Sequence, residues 1–285
     1  MSRIAYVNGR YVPLAVASVN VEDRGYQFSD GVYEVCEVKG GKLVDERRHL
    51  ERLQRSLSEL RIAMPMTPKA LGVVLHEVAR RNRVRWGIVY LQITRGVARR
   101  DHAFPPPGTA PSVVATARNL NFESAEKLAA DGVAVVTVPD NRWERVDIKS
   151  VSLLPNVLAK QAAREQGARE AWFVDAQGRV TEGSSSNAWI VTRDGKVVTR
   201  HVDHAILRGI TRTVVLDVMK AQGLSLEERP FTIEEALAAR EAFLTSASQI
   251  VIPVVRIDGR PIGNGAPGLI ATALRRDFHL QAEIS

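Results

Sequence analysis

The stretch Asp147-Ile148-Lys149-Ser150 places a lysine at the end of an irregular polar segment, directly before a predicted helix. Apolar Ile148, Val151 and Leu153 flank this lysine, so its amine could be desolvated enough to act as a nucleophile. Taken alone the pattern indicates little, because most lysines are exposed surface charges. The role of Lys149 therefore has to be inferred from motifs elsewhere in the chain.

Two polar motifs follow Lys149 along the chain. Thr181-Glu182-Gly183-Ser184-Ser185-Ser186-Asn187 sets a carboxylate beside a glycine and a run of hydroxyl groups, which indicates either a solvated loop or a ligand cradle. Leu207-Arg208-Gly209-Ile210-Thr211-Arg212 opens an amphipathic helix, where free backbone N–H groups, the helix dipole and the Thr211 hydroxyl form a natural phosphate seat. An ordinary helix start has the same composition, so neither motif settles a function by itself.

Hydrophobic periodicity predicts an α+β fold of short strands and helices. In the first part, strands are predicted at Ile4–Val7, Val32–Val38, Ile88–Thr94 and Ser112–Ala117, and helices at Glu46–Ile62 and Pro68–Arg81. In the second part, strands are predicted at Val133–Val138, Glu170–Val174, Ala188–Val191, Lys196–Thr199 and Ala242–Thr245, and helices at Ala125–Ala130, Leu154–Gln166, Ile210–Gln222 and Gly268–His279. We expect a smaller N-terminal domain over residues 1–118, a connecting segment at 119–124 and a larger domain over 125–285.

Composition is that of a globular protein: of 285 residues, 45% are hydrophobic and 25% charged. No apolar run reaches the length of a membrane helix, and the start lacks the apolar core of a signal peptide, so we expect a cytoplasmic protein that does not bind membranes. The single cysteine, Cys36, lies in an apolar alternation and is interpreted as a structural thiol. Despite a net charge of +7 and the basic cluster at residues 80–85, we expect no nucleic-acid binding, because the sequence has no basic tail, no zinc-finger spacing and no RNA-stacking aromatic signature. Nucleic-acid binding stays an alternative on charge alone.

Several common catalytic motifs are missing from the sequence. His76-Glu77-Val78-Ala79-Arg80 starts like a zinc-protease helix but has arginine where the second histidine must stand, so we expect no metal. The chain also lacks a G-x-S-x-G elbow, a phosphate-binding G-x-x-x-x-G-K-[ST] loop and a G-x-G-x-x-G turn. Serine hydrolases, P-loop ATPases and Rossmann dehydrogenases are therefore excluded.

Taken together and in this order, the lysine, the Glu-Gly-Ser-Ser-Ser-Asn motif and the Gly-Ile-Thr helix start resemble the fold type IV enzymes that depend on pyridoxal 5′-phosphate (PLP). The resemblance covers essentially the whole chain, since it includes Asp23–Val35 near the start and His49–Leu53 on the first helix. It implies a two-domain α+β fold and PLP as the cofactor. The segment Asp23–Val35 and the loop after Thr94 resemble the D-amino-acid aminotransferases of this family more than its branched-chain aminotransferases.

The resemblance assigns a role to each cofactor-binding residue. Lys149 is implied to hold PLP as a Schiff base and to carry the proton between substrate and cofactor, Glu182 to keep the pyridine nitrogen protonated, and Arg52 to bind the phosphate. Phosphate binding is assisted by Ile210, Thr211 and the turn at residues 245–248. The remaining members of the implied cofactor site are Ser185, Ser186, Asn187, Leu207, Gly209, Ser246 and Ala247. Close relatives have threonine where Ala247 stands, so one hydroxyl contact to phosphate is lost here.

Substrate choice is implied to rest on Tyr33 and on Arg100-Asp101-His102, which resembles a carboxylate trap that the neighbouring subunit contributes in this family. A homodimer is therefore implied. An arginine and a histidine two positions apart on a loop can both point at one carboxylate, with the Tyr33 hydroxyl as a third donor. Arg99 adjoins Arg100, so the sequence leaves open which guanidinium reaches the carboxylate.

The predicted function is ping-pong transamination between a D-amino acid, such as D-alanine or D-glutamate, and a 2-oxo acid, such as 2-oxoglutarate or pyruvate. Three other activities of the same fold share the lysine and the phosphate site. They are branched-chain L-amino-acid transamination, (R)-amine transamination and the aminodeoxychorismate lyase reaction. Tyr33 with Arg100 and His102 is the feature that favours the D-amino-acid enzyme.

Overall fold

The computed structural model describes residues 3–285, and its contacts divide the chain into two compact units. The first unit extends to Asn121 and also includes Ile148–Ser152 and Glu283–Ser285; the second comprises Phe122–Asp147 and Leu153–Ala282. Lys149 therefore belongs to the first unit, although it follows the first part of the second unit in sequence. The division into residues 1–118, 119–124 and 125–285 stays a prediction.

The first unit is a six-stranded sheet with helices. Its elements are β1 (Ile4–Val7), β2 (Arg10–Pro13), α1 (Arg24–Phe28), β3 (Gly31–Lys39), β4 (Lys42–Leu43), α2 (Glu46–Glu59), α3 (Pro68–Arg81), β5 (Trp86–Thr94) and β6 (Ser112–Asn119). The strand order is β2-β1-β6-β5-β3-β4, and each neighbouring pair is antiparallel. Tight turns join the pairs β1–β2 and β3–β4, whereas a long loop joins β5 to β6, and the pairs β1–β6 and β3–β5 are not sequential.

The core of the first unit lies between its sheet and the apolar faces of α2 and α3. Leu50, Leu53 and Leu57 recur at helical spacing on α2 and are buried in one cluster with residues of α3 and the sheet. Cys36 is buried in the same cluster, and burial raises the pKa of its thiol well above the usual value. The interpretation of Cys36 as a structural thiol agrees with this position.

The second unit is built on a ten-stranded sheet. Its elements are α4 (Phe122–Asp131), β7 (Val133–Pro139), α5 (Leu154–Glu165), β8 (Glu170–Val174), β9 (Arg179–Gly183), β10 (Asn187–Val191), β11 (Val197–Thr199), α6 (Ile210–Ala221), β12 (Leu226–Glu228), β13 (Phe231–Thr232), α7 (Ile233–Ala238), β14 (Glu241–Ser246), β15 (Ile250–Ile257), β16 (Arg260–Pro261) and α8 (Leu269–Gln281). The strand order is β12-β11-β10-β14-β15-β7-β8-β9-β13, with β16 paired to β15. β7 pairs in parallel with both β8 and β15.

The predicted strands and helices are all present, and their ends differ by at most three residues. The structure adds β9, which covers Arg179–Gly183, where the sequence suggested a polar loop. Its Thr181 and Glu182 are buried, and polar residues that find partners inside a sheet give no apolar alternation to read. The fold class predicted from the sequence is confirmed as α+β, and no helix within residues 3–285 is long and apolar enough to cross a membrane.

The last residues of the chain return to the first unit. Glu283 O accepts from Asp45 N at 2.7 Å, and Ser285 N donates to Leu43 O at 2.9 Å. Val44 and Ile284 form an antiparallel bridge. These bonds attach the C-terminal segment Glu283–Ser285 to the residues directly before α2.

Candidate functional site

Lys149 lies beside Tyr33 of β3. The Tyr33 backbone N donates to Lys149 O at 3.0 Å, and Lys149 Nζ lies 4.1 Å from the centre of the Tyr33 ring. Val32 and Ser150 form an antiparallel bridge that extends this pairing. Within residues 3–285 no carboxylate forms an ion pair with Lys149 Nζ. The amine is half-buried and faces an aromatic ring, where its positive form gains cation–π attraction.

A buried network lies on the opposite face of β3. Glu34 accepts from Arg52 Nε at 2.8 Å and from Arg52 Nη2 at 2.7 Å, and His49 Nδ1 is bonded to Glu34 Oε2 at 2.7 Å. Burial alone would raise the pKa of Glu34, but the charge and hydrogen bonds of Arg52, together with His49, lower it to about 2. The bidentate pair fixes the guanidinium plane of Arg52.

Glu182 is the centre of a second network, within the second unit. Its Oε1 accepts from Arg142 Nη1 at 2.5 Å, and its Oε2 accepts from Asn187 Nδ2 and from Leu207 N, both at 3.0 Å. Arg142 is itself held by Asp140 at 2.8 Å, and it lies over the Phe173 ring at 4.3 Å. Sequence reasoning found Glu182, Asn187 and Leu207 but missed Arg142.

Helix α6 begins at Ile210 with Gly209 as its N-cap, and the cap has no side-chain hydrogen bond. Thr211 is buried, and in the described chain no hydrogen bond involves its hydroxyl. A Cβ on Gly209 would lie 2.1 Å from Asn187 Oδ1, so the approach of these two residues requires glycine. The first turn of α6 therefore keeps N–H groups and a hydroxyl available to an anion.

The serine run folds around Glu170, the first residue of β8. Glu170 accepts from the hydroxyls of Ser184, Ser185 at 2.8 Å and Ser186 at 3.3 Å. Lys160 Nζ lies 3.2 Å from the same carboxylate. The hydroxyls of the run Ser184–Ser186 thus all donate to one carboxylate, and the sequence did not indicate Glu170.

Ser246 and Ala247 lie where β14 ends in a turn. Gln249 N donates to Ser246 O at 3.3 Å across this turn. Thr245, one residue earlier, is buried, and its hydroxyl accepts from Trp189 Nε1 at 3.0 Å. Thr245 is therefore committed to the core, which leaves Ser246 and Ser248 as the hydroxyls at the turn.

The loop after β5 brings Arg100 and His102 together on one ring. Arg100 Cζ lies 4.6 Å from the centre of the Phe28 ring, and the His102 ring lies 5.4 Å from the same centre. Arg99 has no such contact in the described chain. Neither Arg100 nor His102 forms a hydrogen bond or ring contact with Tyr33 within residues 3–285.

Of the site residues that sequence reasoning missed, Glu34 alone stands in a pattern that could have revealed it. Glu34 stands among Val32, Cys36 and Val38 on the buried face of β3, and a carboxylate in that position needs a partner. Arg142 and Glu170 belong to no apolar pattern, and the Glu182 carboxylate and the Ser184 hydroxyl that they contact are remote in sequence, so nothing local identified them. His76 pairs with Glu46 at 2.9 Å, and no group of residues able to hold a metal is found within residues 3–285.

Residues 31–257 match the family model described as amino-transferase class IV, and the chain belongs to that family. It is an aminotransferase of the kind that uses pyridoxal 5′-phosphate. The chain is 43% identical over 261 residues to a D-alanine aminotransferase of Bacillus licheniformis, covering 92% of this chain and 90% of that protein. A D-alanine aminotransferase of Staphylococcus haemolyticus is 38% identical, covering 98% of this chain and 97% of that protein.

Among solved structures, the branched-chain aminotransferase of the thermophilic archaeon Thermoproteus uzoniensis with norvaline superposes with a TM-score of 0.86 at 26% identity. The superposition covers 100% of this chain and 99% of that chain. The two-unit α+β architecture is therefore that of this aminotransferase family.

Proposed function

We propose that this aminotransferase transfers the amino group of a D-amino acid, such as D-alanine or D-glutamate, to a 2-oxo acid, such as pyruvate or 2-oxoglutarate. The observation that carries the proposal is the convergence of Arg100 and His102 on Phe28, because two carboxylate-binding groups of one loop thus lie against the same ring. The two relatives named D-alanine aminotransferase support the same substrate class.

Lys149 fits the role of covalent anchor for the cofactor. Its amine is half-buried and has no carboxylate partner in the described chain, so no ion pair has to break before it reacts. When bound, PLP supplies an electron sink for the charge left on the substrate Cα after that carbon loses its proton. Lys149 Nζ is the group we assign to take this proton and return it.

Glu182 fits the role of partner to the pyridine nitrogen. It is a buried carboxylate oriented by Arg142, Asn187 and the Leu207 backbone. A carboxylate held in this way keeps a bound nitrogen protonated without having to reorganise. Asn187 orients Glu182 directly, whereas Ser185 and Ser186 act on the surroundings of the cofactor through Glu170.

The phosphate group is assigned to Arg52 and to the start of α6. The Arg52 side chain is 9% exposed, and its guanidinium plane is fixed by Glu34. Ile210 N and the Thr211 hydroxyl lie in the first turn of a helix whose N-cap, Gly209, has no side chain to occupy the free N–H groups, which suits a dianion. Ser246, at the end of β14, is assigned as the hydroxyl donor that compensates for alanine at position 247.

Tyr33, Arg100 and His102 are assigned to the substrate carboxylate, with Arg100 favoured over Arg99 by its contact with Phe28. Tyr33 lies next to Lys149, while the loop makes no hydrogen bond or ring contact with Tyr33 in the described chain. We therefore propose a homodimer in which the loop serves the partner's Lys149. A cytoplasmic location stays a prediction.

Steady-state assays test the substrate class. With 2-oxoglutarate as acceptor, we expect turnover of D-alanine and D-glutamate and slow or no turnover of L-leucine. The Arg100→Ala variant should raise the KM for D-alanine about tenfold or more, since a lost charge-assisted bond costs more than about 1.4 kcal/mol, and Arg99→Ala is the matched control. Turnover of L-leucine together with no turnover of D-alanine would show that the enzyme is a branched-chain L-aminotransferase.

A further inference from the structure

Arg24 is a buried arginine whose guanidinium holds the backbone of the loop that carries Arg100 and His102. Arg24 Nη1 donates to Asp101 O at 2.6 Å and to Ala103 O at 3.2 Å, and Nη2 donates to His102 O at 3.5 Å. Its side chain is 4% exposed. Three successive carbonyls of an exposed loop are thus held by one rigid, fully charged group.

Arg24 is in turn oriented by Asp30. Arg24 Nε donates to Asp30 Oδ2 at 2.8 Å, and Arg95 donates to both oxygens of the same carboxylate at 2.7 and 2.9 Å. Arg95 also donates to the carbonyls of Leu60 and Arg61. Burial would raise the pKa of Asp30, but Arg95 and Arg24 hold it below the usual value, so the triad of Arg24, Asp30 and Arg95 stays charged and fixed.

The other end of α1 holds the side chains of the same loop. Phe28, the last residue of α1, supplies the ring against which Arg100 and His102 lie. Arg24 itself lies 4.9 Å from the centre of this ring. One short helix therefore fixes both the backbone of the loop and the direction of the two groups assigned to the substrate carboxylate.

We infer that Arg24 is a positioning residue that presets the loop Arg100–His102 for binding the substrate carboxylate. The inference rests on the proposed function of that loop. Ordering an exposed loop before substrate arrives removes an entropic cost from substrate binding, and small displacements of binding groups reduce affinity strongly. Arg24 thereby acts on substrate affinity without touching the cofactor or the reacting atoms.

The test compares Arg24→Gln and Arg24→Lys with the control Arg80→Gln, in the PLP-loaded enzyme. Arg80 is an exposed arginine paired with Glu77 and far in sequence from the loop. We expect R24Q to raise the KM for D-alanine about tenfold, with kcat changed less than about threefold, because binding geometry is lost while chemistry is kept. R24K should fall between R24Q and the unaltered enzyme, and R80Q should match the unaltered enzyme.

Limited trypsin digestion gives a readout that does not depend on activity, since Arg99 and Arg100 are exposed cleavage sites. R24Q should be cut in this loop several-fold faster, with cofactor affinity unchanged. If R24Q does not fold, Asp30→Asn keeps Arg24 but removes the carboxylate that orients it, and a smaller change in the same direction is expected.

Three outcomes would overturn the inference. Unchanged KM and cleavage rate in R24Q, or in D30N if R24Q does not fold, would show that Arg24 does not position the loop. Parallel losses of cofactor affinity and kcat would show a merely structural role. If R100A binds D-alanine normally, the proposed function of the loop fails as well, whereas a weakened R100A beside a normal R24Q removes this inference alone.

Discussion

At the scale of single residues, a buried carboxylate stays charged only when hydrogen-bonding or positively charged partners are present. Glu34 lies on the apolar face of β3 and owes its charge to Arg52 and His49. Removing one partner from a buried pair leaves the other charge uncompensated. Glu34, which orients Arg52, is thus also a determinant of the folding stability of the protein.

We predict that Glu34→Gln lowers the stability of the first unit by about 3–5 kcal/mol, because Arg52 is left buried without its counter-charge. Glu77→Gln is the matched control, since Glu77 pairs with two arginines in exposed positions and such pairs contribute little. Thermal unfolding at neutral pH measures both variants. Equal unfolding midpoints for the two variants would contradict the role given to the Glu34–Arg52 pair.

The same pair predicts a pH dependence. The pKa of Glu34 falls from 4.5 to about 2 on folding, so its stabilisation is present above pH 4.5 and is lost as the pH falls towards 2. The unaltered protein should therefore lose more stability between pH 5 and 3 than Glu34→Gln does. Thermal unfolding across this pH range measures the loss of stability in each protein. An equally steep loss in both proteins would refute the prediction.

Gly209 gives a third prediction at this scale. In Gly209→Ala the new Cβ meets Asn187 Oδ1, so Asn187, Glu182 and the start of α6 must shift. We expect the dissociation constant for PLP to rise about tenfold or more, through the loss of one or two hydrogen bonds to the cofactor. Spectrophotometric titration of the cofactor-free protein with PLP measures it.

The matched control is Gly268→Ala. Gly268 is the N-cap of α8, and its added Cβ would meet the Glu241 carboxylate at 2.0 Å. This substitution strains a comparable helix start that none of the cofactor motifs includes. G268A should lower the unfolding midpoint while PLP affinity is retained; equal loss of affinity in both variants would mean that strain, not the site, explains the effect.

At the scale of elements, the segment Glu283–Ser285 forms an isolated β-bridge next to the start of α2. Two backbone hydrogen bonds, which together form the Val44–Ile284 bridge, attach it, and the Glu283 carboxylate pairs with Arg47 and Arg48. α2 carries His49 and Arg52, so the end of the chain supports the element that carries the assigned phosphate arginine.

We predict that deleting residues 283–285 lowers the thermal midpoint of unfolding by several degrees, since a loss of about 1–2 kcal/mol in backbone bonds has this effect. Glu283→Gln keeps the backbone bonds and removes the charge, so it should change the midpoint little. Differential scanning calorimetry compares the two. A truncated protein as stable as Glu283→Gln would show that the Val44–Ile284 bridge contributes nothing to folding stability.

The elements also show which parts of the fold the sequence could predict. α2 and α3 have long apolar stripes and were predicted at nearly their observed positions. α1 was missed because five residues give no stripe, and β9 was missed because its polar residues bind partners across the sheet. Periodicity predicts elements that bury apolar faces and fails where polar contacts take their place.

At the scale of the whole molecule, the motifs named Lys149, Glu182, Arg52 and Thr211 as cofactor residues, and their order along the chain identified the family. The sequence could not supply the residues that hold these groups in place. Arg142, Glu170 and Arg24 act through partners 14 to 79 positions away in sequence, and such contacts leave no local pattern. The residues assigned to the cofactor could therefore be predicted from the sequence, whereas the residues that orient them could not.

The proposed dimer predicts complementation between inactive variants. Lys149→Ala and Arg100→Ala homodimers should each be impaired. After mixing, unfolding and refolding together, about a quarter of the sites should combine an intact Lys149 with the partner's intact loop, as random pairing in a symmetric dimer gives. Activity well above the sum of the separate variants supports a shared site, and no gain would show that each loop serves its own subunit.

The most direct test of the account is the visible absorbance of the PLP-loaded protein before and after addition of one amino acid. The unaltered protein should show a visible cofactor band that D-alanine diminishes and L-alanine leaves unchanged. Lys149→Ala should lack this band. A band retained in Lys149→Ala, or one diminished by L-alanine and not by D-alanine, would contradict the proposed function.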